Sequence, residues 1–275
     1  MEFQEDKIYT DGGKIFTRNI APKSMKGVVV LVHGIGEHSG RYIDSVIPTL
    51  LNGSLAVVTY DNVGHGKSGG KRGHCPSYGA LMGILKRVME RAIALYGDVP
   101  LFLYGHSMGG NLVLNYALRN NLRIAGIVAT SPYLRLAFKP PKWKMFLGRL
   151  MLRSFPMVTL PSGLDAKGIS RIPEAVENYS NDPLVHDMVS PMYSFPVMEA
   201  GEWAIGNASK LETPTFLLHG TADPIIDYKA TEEFHRNSHK TELKLFEGGF
   251  HELHHDSCQE ALLLSLGNWL KQQIV

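Results

Sequence analysis

The chain has only two cysteines in 275 residues, Cys75 and Cys258. Two thiols so far apart make no disulfide framework at this size, so free thiols in a reducing compartment are expected. No apolar run approaches ~18 residues, so no membrane-spanning helix is expected. The opening Met-Glu-Phe-Gln-Glu-Asp is acidic and lacks the apolar stretch of a secretory signal. The formal charge is only +2, which implies no nucleic-acid partner. Internal repeats and low-complexity segments are absent. A cytoplasmic enzyme is the default expectation, with its oligomeric state open and peripheral membrane contact still allowed.

What is present is alternation. Gly27–His33, Ala56–Tyr60, Ile124–Thr130 and Thr215–His219 are short apolar runs rich in β-branched residues, and Val99–Tyr104 is a further apolar run. Glu242–Phe246 alternates and reads as a strand nearer the sheet edge. Helical periodicity follows in Leu81–Leu95, Asn111–Leu118 and Ala261–Trp269. Continuous apolar strands separated by helices imply an α/β fold, a mostly parallel sheet covered on both faces. Lys7–Ile20 reads as a hairpin around Asp11-Gly12-Gly13. From Ser131 to Ile205 the rhythm breaks and prolines crowd in. The expected organisation is a core of residues 1–130 and 206–275, with an inserted helical cap at 131–205.

Gly105-His106-Ser107-Met108-Gly109 carries the pattern G-x-S-x-G between a strand and a helix. That context turns a bare motif into a nucleophile elbow, a tight turn that strains the serine and exposes its hydroxyl. A Cβ at either flanking glycine would collide with the turn. A serine hydroxyl needs a base, and the base needs an orienting acid. In chain order the acid comes next and the histidine last, each just beyond a strand. Asp223 follows the strand ending at His219, and His251 follows the one ending near Phe246. Ligand sites in such sheets lie at the carboxyl ends of strands, so Ser107, Asp223 and His251 are expected to converge. Asp227 is the alternative acid, but it opens a helix and reads as a cap. Two backbone amides must hold a developing oxyanion. Met108, at the start of the elbow helix, and Ile35, in the loop after His33-Gly34, are the candidates.

Other clusters point elsewhere. His254, His255 and Asp256 read as a surface helix start, because His251-Glu252-Leu253-His254-His255 lacks the H-E-x-x-H zinc spacing. Asp61–Gly70 has neither the dinucleotide nor the Walker pattern and reads as a structural loop. His65 and His106 read as satisfied polar residues near the site.

Taken together, five segments resemble the monoacylglycerol lipase family of α/β-hydrolases, which also includes proteins named lysophospholipase. They are His33–Tyr42, Asp61–Gly66, Gly105–Gly110, Asn181-Asp182-Pro183-Leu184 and His251–His254. The resemblance implies a serine esterase that cleaves single-chain glycerides without a cofactor or a metal. It carries the triad onto Ser107, Asp223 and His251, and the oxyanion donors onto Ile35 and Met108. It also implies that Glu37, Arg41 and His106 contact the glycerol head and that Tyr179 is the cap tyrosine. Ile35 stands where the mammalian members have an alanine, so a narrower pocket is expected. A lysophospholipase or a broad carboxylesterase is the nearest alternative. A non-catalytic hydrolase-fold receptor for a small lipid is the alternative of a different class.

No Asp or Glu occurs between Val99 and Leu164, and residues 135–153 interleave six Lys and Arg with Phe138, Trp143, Phe146 and Leu150. A basic, apolar helix of this kind can lie in a membrane interface. Trp143 and Met145 are expected at the surface, Leu147 and Met151 in the acyl tunnel.

Overall fold

A computed structural model describes residues 3–10, 13–120 and 123–274. The chain opens with β1 (Gln4–Thr10) and β2 (Gly13–Ile20), an antiparallel pair. The expected turn residues Asp11 and Gly12 lie outside the described residues. Strands and helices then alternate: β3 (Gly27–Val32), α1 (Val46–Asn52), β4 (Leu55–Tyr60), α2 (Tyr78–Tyr96), β5 (Leu101–His106), α3 (Met108–Arg119) and β6 (Gly126–Thr130). A different stretch follows, with α4 (Lys142–Ser154), β7 (Leu160–Pro161), α5 (Pro173–Asn181), β8 (Met188–Val189) and α6 (Pro191–Asn207). The alternation resumes in β9 (Thr215–Gly220), α7 (Tyr228–Arg236), β10 (Thr241–Phe246) and α8 (Gln259–Gln273).

Eight strands form one sheet in the order β1-β2-β4-β3-β5-β6-β9-β10, parallel from β4 to β10. The reason is visible in β3. Val28, Val30 and Val32 join the apolar cluster under α2, α3 and α6, while Val29 and Leu31 join the one under α1 and α8. With both faces covered, no polar alternation is needed. Each such side chain contributes roughly 1.5–3 kcal/mol on burial. Register aligns the carboxyl ends: Val32 faces Gly105, His106 faces Thr130, Thr130 faces Leu218 and Gly220 faces Phe246. The loops after β3, β5, β6, β9 and β10 therefore leave the sheet side by side.

Two details of the stretch between β6 and β9 differ from expectation. A two-residue pairing of β7 with β8 forms where no strand signal exists. And α6 is not separate from the core. Its Tyr193, Val197, Ala204 and Ile205 sit in the cluster with α3, and Gly201 lets it approach closely, since a Cβ there would lie 2.3 Å from the Leu134 carbonyl oxygen. By contrast, α4 buries no residue at all.

Candidate active site

The turn from β5 to α3 is a single residue, Ser107, at φ +52° and ψ −116°. A non-glycine residue there is strained and must be held from outside. It is held at both backbone ends: its N–H donates to Thr130 O at 2.9 Å, and its carbonyl accepts from Tyr133 N at 2.9 Å and Asn111 N at 3.0 Å. The flanking glycines answer close approach. A Cβ at Gly105 would lie 2.4 Å from Gly109 O, and one at Gly109 would lie 2.1 Å from Val32 O.

Beyond β9, Asp223 is buried with every carboxylate oxygen occupied. Oδ1 accepts the amides of Ile225 and Ile226 at 2.8 and 3.0 Å. Oδ2 meets His251 Nδ1 at 2.7 Å and His219 Nε2 at 3.1 Å. Burial opposes the charge, but the two imidazoles and their hydrogen bonds outweigh it and hold the carboxyl far below its usual range. For His251, burial disfavours the cation. The Asp223 carboxylate, its hydrogen bond, and Glu252 and Glu37 outweigh burial, so the pKa lies above the ordinary histidine value. Asp227 instead caps α7, its Oδ1 accepting from Lys229 N at 3.0 Å.

His106 links the two halves. It precedes Ser107, and its ring centroid lies 4.9 Å from that of His251. Its Nδ1 pairs with Thr130 Oγ1 at 3.1 Å. Burial and then the neighbouring His251 push its pKa well down, so it is neutral. Ser131, next to the Thr130 that anchors the elbow, donates through Oγ to His251 O at 2.7 Å.

The loop after β3 lies against the elbow. A Cβ at Gly34 would sit 3.2 Å from Ser107 Cβ, and Ile35, next in the chain, packs against the apolar cluster that contains Met108, the first residue of α3. Glu37 holds this loop. Its Oε1 accepts Gly34 N–H and Tyr42 O–H, both at 2.6 Å. It is 2% exposed, and its other oxygen lies 3.4 Å from Arg41 Nε. Arg41 in turn binds Glu252 Oε2 at 2.5 Å and covers the Tyr179 ring at 4.7 Å. The structure thus gathers the buried side chains of Glu37, Arg41 and Glu252 into one cluster with the half-buried Tyr179; Glu252 lies in the His251–His254 segment, but no role was expected of it.

Three expectations need correction. His254 and Asp256 do not start a surface helix. His254 is fully buried, stacked on Tyr42 at 4.8 Å and edge-on to His106 at 4.9 Å. Asp256 is clasped by Arg171 at 2.8 Å and by Phe250 N at 2.9 Å. His65 is not fully satisfied: its Nδ1 meets Val63 O at 3.0 Å, but its buried Nε2 has no partner among the described residues. On α4, Trp143 is exposed as expected, but Leu147 is exposed too and Met145 is only partly so, contrary to expectation for those two residues. Glu252, His254 and His255 do bring ligand atoms within 4.8 Å of one another. The Arg41 guanidinium already neutralises that carboxylate and lies 3.2 Å from His255 Nδ1, so the donor set does not suit a cation.

The segment between β6 and β9 is fastened to the loop after β3. His186 N donates to Gly36 O at 2.9 Å, and His38 Nε2 pairs with Asp182 Oδ2 at 2.8 Å.

Against known proteins, the model of the serine aminopeptidase S33 family matches residues 23–258. Monoglyceride lipase of Mus musculus is 30% identical, over 97% of this chain and 90% of its own. An uncharacterized abhydrolase domain-containing protein of Dictyostelium discoideum is 35% identical over 90% of this chain, which spans about a quarter (26%) of that larger protein. The crystal structure of Paleococcus ferrophilus monoacylglycerol lipase superimposes with a TM-score of 0.86 at 35% identity, covering 99% of this chain and 100% of its own.

Proposed function

The chain belongs to the serine aminopeptidase S33 family of α/β-hydrolases and, within it, to the monoglyceride lipases; on that premise we propose that Ser107, His251 and Asp223 hydrolyse the ester of a monoacylglycerol. The observation that carries this reading is Ser107 strained on the elbow, next in the chain to His106, whose ring lies 4.9 Å from that of a histidine with its Nδ1 held by Asp223 at 2.7 Å. With Nδ1 committed, Nε2 takes the Ser107 proton as the hydroxyl attacks the ester carbonyl. The Ile35 and Met108 amides stabilise the tetrahedral oxyanion, each worth a factor of ~10²–10³. His251 then protonates the departing glycerol, and water repeats the sequence on the acyl-enzyme. Asp223 fixes the tautomer and stabilises the imidazolium.

Residues 131–205 act as the cap, with α6 as the part that packs into the core. A groove of about 480 Å³, lined mainly by Phe138, Leu164, Pro224, Ile225 and Phe250 but also by Asp165 and Lys167, includes residues next in the chain to Asp223 and His251, and its apolar part suits an acyl chain. The head-group end favours neutral glycerol over phosphoglycerol. Arg41 is already flanked by the buried carboxylates of Glu37 and Glu252, so a phosphate there would meet two negative charges for one positive. The exposed apolar face of α4, with Trp143, Phe146 and Leu150 among basic residues, rests on a lipid surface. No helix among the described residues is long and apolar enough to cross a membrane.

Rates on monoacylglycerol and lysophosphatidylcholine test the assignment. Wild type is expected to hydrolyse the first faster, and Ser107→Ala is expected to hydrolyse neither while keeping its melting temperature. Normal turnover by Ser107→Ala overturns the assignment. A preference for the lysophospholipid overturns the head-group reading.

A further inference from the structure

His219 has no role in the steps above, yet it is built into the same unit. It lies in β9, fully buried. Its Nδ1 is 2.8 Å from Thr231 Oγ1 on α7, and its Nε2 is 3.1 Å from Asp223 Oδ2. A carboxylate can only accept, so Nε2 carries the proton and donates. In the neutral ring Nδ1 is then the acceptor, and the Thr231 hydroxyl donates to it. The result is a directed chain in a dry site: Thr231 to His219 to Asp223, with His251 donating to the same Asp223 oxygen from the other side. A core histidine that merely fills space does not require a hydroxyl behind it that sets its tautomer.

We propose that His219 is a positioning residue for the esterase reaction, fixing Asp223 Oδ2 and sharing its charge so that His251 is oriented and kept available as a base. The proposal rests on the triad reading given above. Two donors divide the charge of one oxygen. Removing the His219 donor leaves that charge to His251 alone, which favours the imidazolium and disables the base at higher pH. It also frees the carboxylate to rotate, because only its Oδ1 side stays anchored by the Ile225 and Ile226 amides. The charged and titratable groups facing the His251 ring are Asp223 from the β9 loop, Glu252 from its own segment, Glu37 from the loop after β3, and His106 from the end of β5. Those facing Asp223 are His219 and His251, and His106 also feels its charge. None of the others changes when His219 is replaced.

The test is the pH profile of kcat/KM, with kcat and KM measured separately, for His219→Leu, His219→Gln and Thr231→Val. His219→Leu is expected to lose at least about tenfold in kcat with KM nearly unchanged, well short of the ~10⁴ typical when a triad carboxylate is lost. Its acid limb is expected to move to higher pH. His219→Gln, whose amide can still donate, is expected to recover most of kcat and the wild-type limb. Thr231→Val keeps the ring but loses its orienting donor, and is expected to shift the limb in the same direction by less. It carries the test if His219→Leu does not fold. An unmoved acid limb in folded His219→Leu, or equal losses in the Leu and Gln variants, overturns the proposal. So does a wild-type profile for Thr231→Val. Ser107→Ala run in parallel separates the two readings, since turnover by that variant defeats the triad itself whatever His219 does.

Discussion

At the scale of single residues, the site works by setting charge states through burial and neighbours. His251 must be neutral to accept a proton, yet Asp223, with Glu252 and Glu37, raises its pKa above the usual 6.5. Activity is therefore lost as pH falls through that raised value, and half-maximal kcat/KM is expected above pH 6.5, read from a pH–rate profile. In Asp223→Asn the carboxylate is gone while burial, which disfavours the cation, remains. The limb is expected to move down in pH and kcat to fall by ~10³–10⁴. Gly109 is the opposite kind of residue, one that acts by having no side chain. Gly109→Ala would press a Cβ to 2.1 Å from the Val32 carbonyl. Backbone on both sides cannot yield cheaply, so a loss of about 3 kcal/mol or more is expected, measurable as a fall in denaturation midpoint.

At the scale of elements, the strands were the most legible part of the sequence. β3, β5, β6 and β9 are continuous apolar runs because both faces are covered, and β10 alternates because it ends the sheet. The helices of the stretch between β6 and β9 were less so. α4 shows no buried face, and periodicity alone cannot tell which side meets lipid, protein or water. If its apolar side meets lipid, Trp143→Ser with Phe146→Ser is expected to weaken cosedimentation with phosphatidylglycerol-containing vesicles by at least about tenfold. Because both side chains are exposed, the melting temperature is expected to stay within a degree or two. The clasp of His38 with Asp182 was invisible in sequence for another reason: its two halves are 144 residues apart, and no local pattern encodes such a pair. The same holds for His219, whose partner on α7 and whose place behind Asp223 follow only from packing.

At the scale of the whole molecule, a mostly parallel sheet aligns five strand ends, and the loops that leave them carry the groups that the proposed chemistry uses. The proposed triad of Ser107, Asp223 and His251 was legible as a candidate in sequence because each follows a strand in the expected chain order. The inward turn of Glu37, the burial of His254 and the Glu252–Arg41 pair were not, since each depends on charges and rings from distant segments settling against one another. The most direct measurement is labelling with a fluorophosphonate, followed by mass spectrometric location of the adduct. Rapid modification of Ser107 is expected in the wild type, slow modification in His251→Ala and none in Ser107→Ala. Failure of the wild type to label, or an adduct on any other residue at the same rate, would contradict a serine nucleophile at this turn and favour a lipid-binding protein without catalysis.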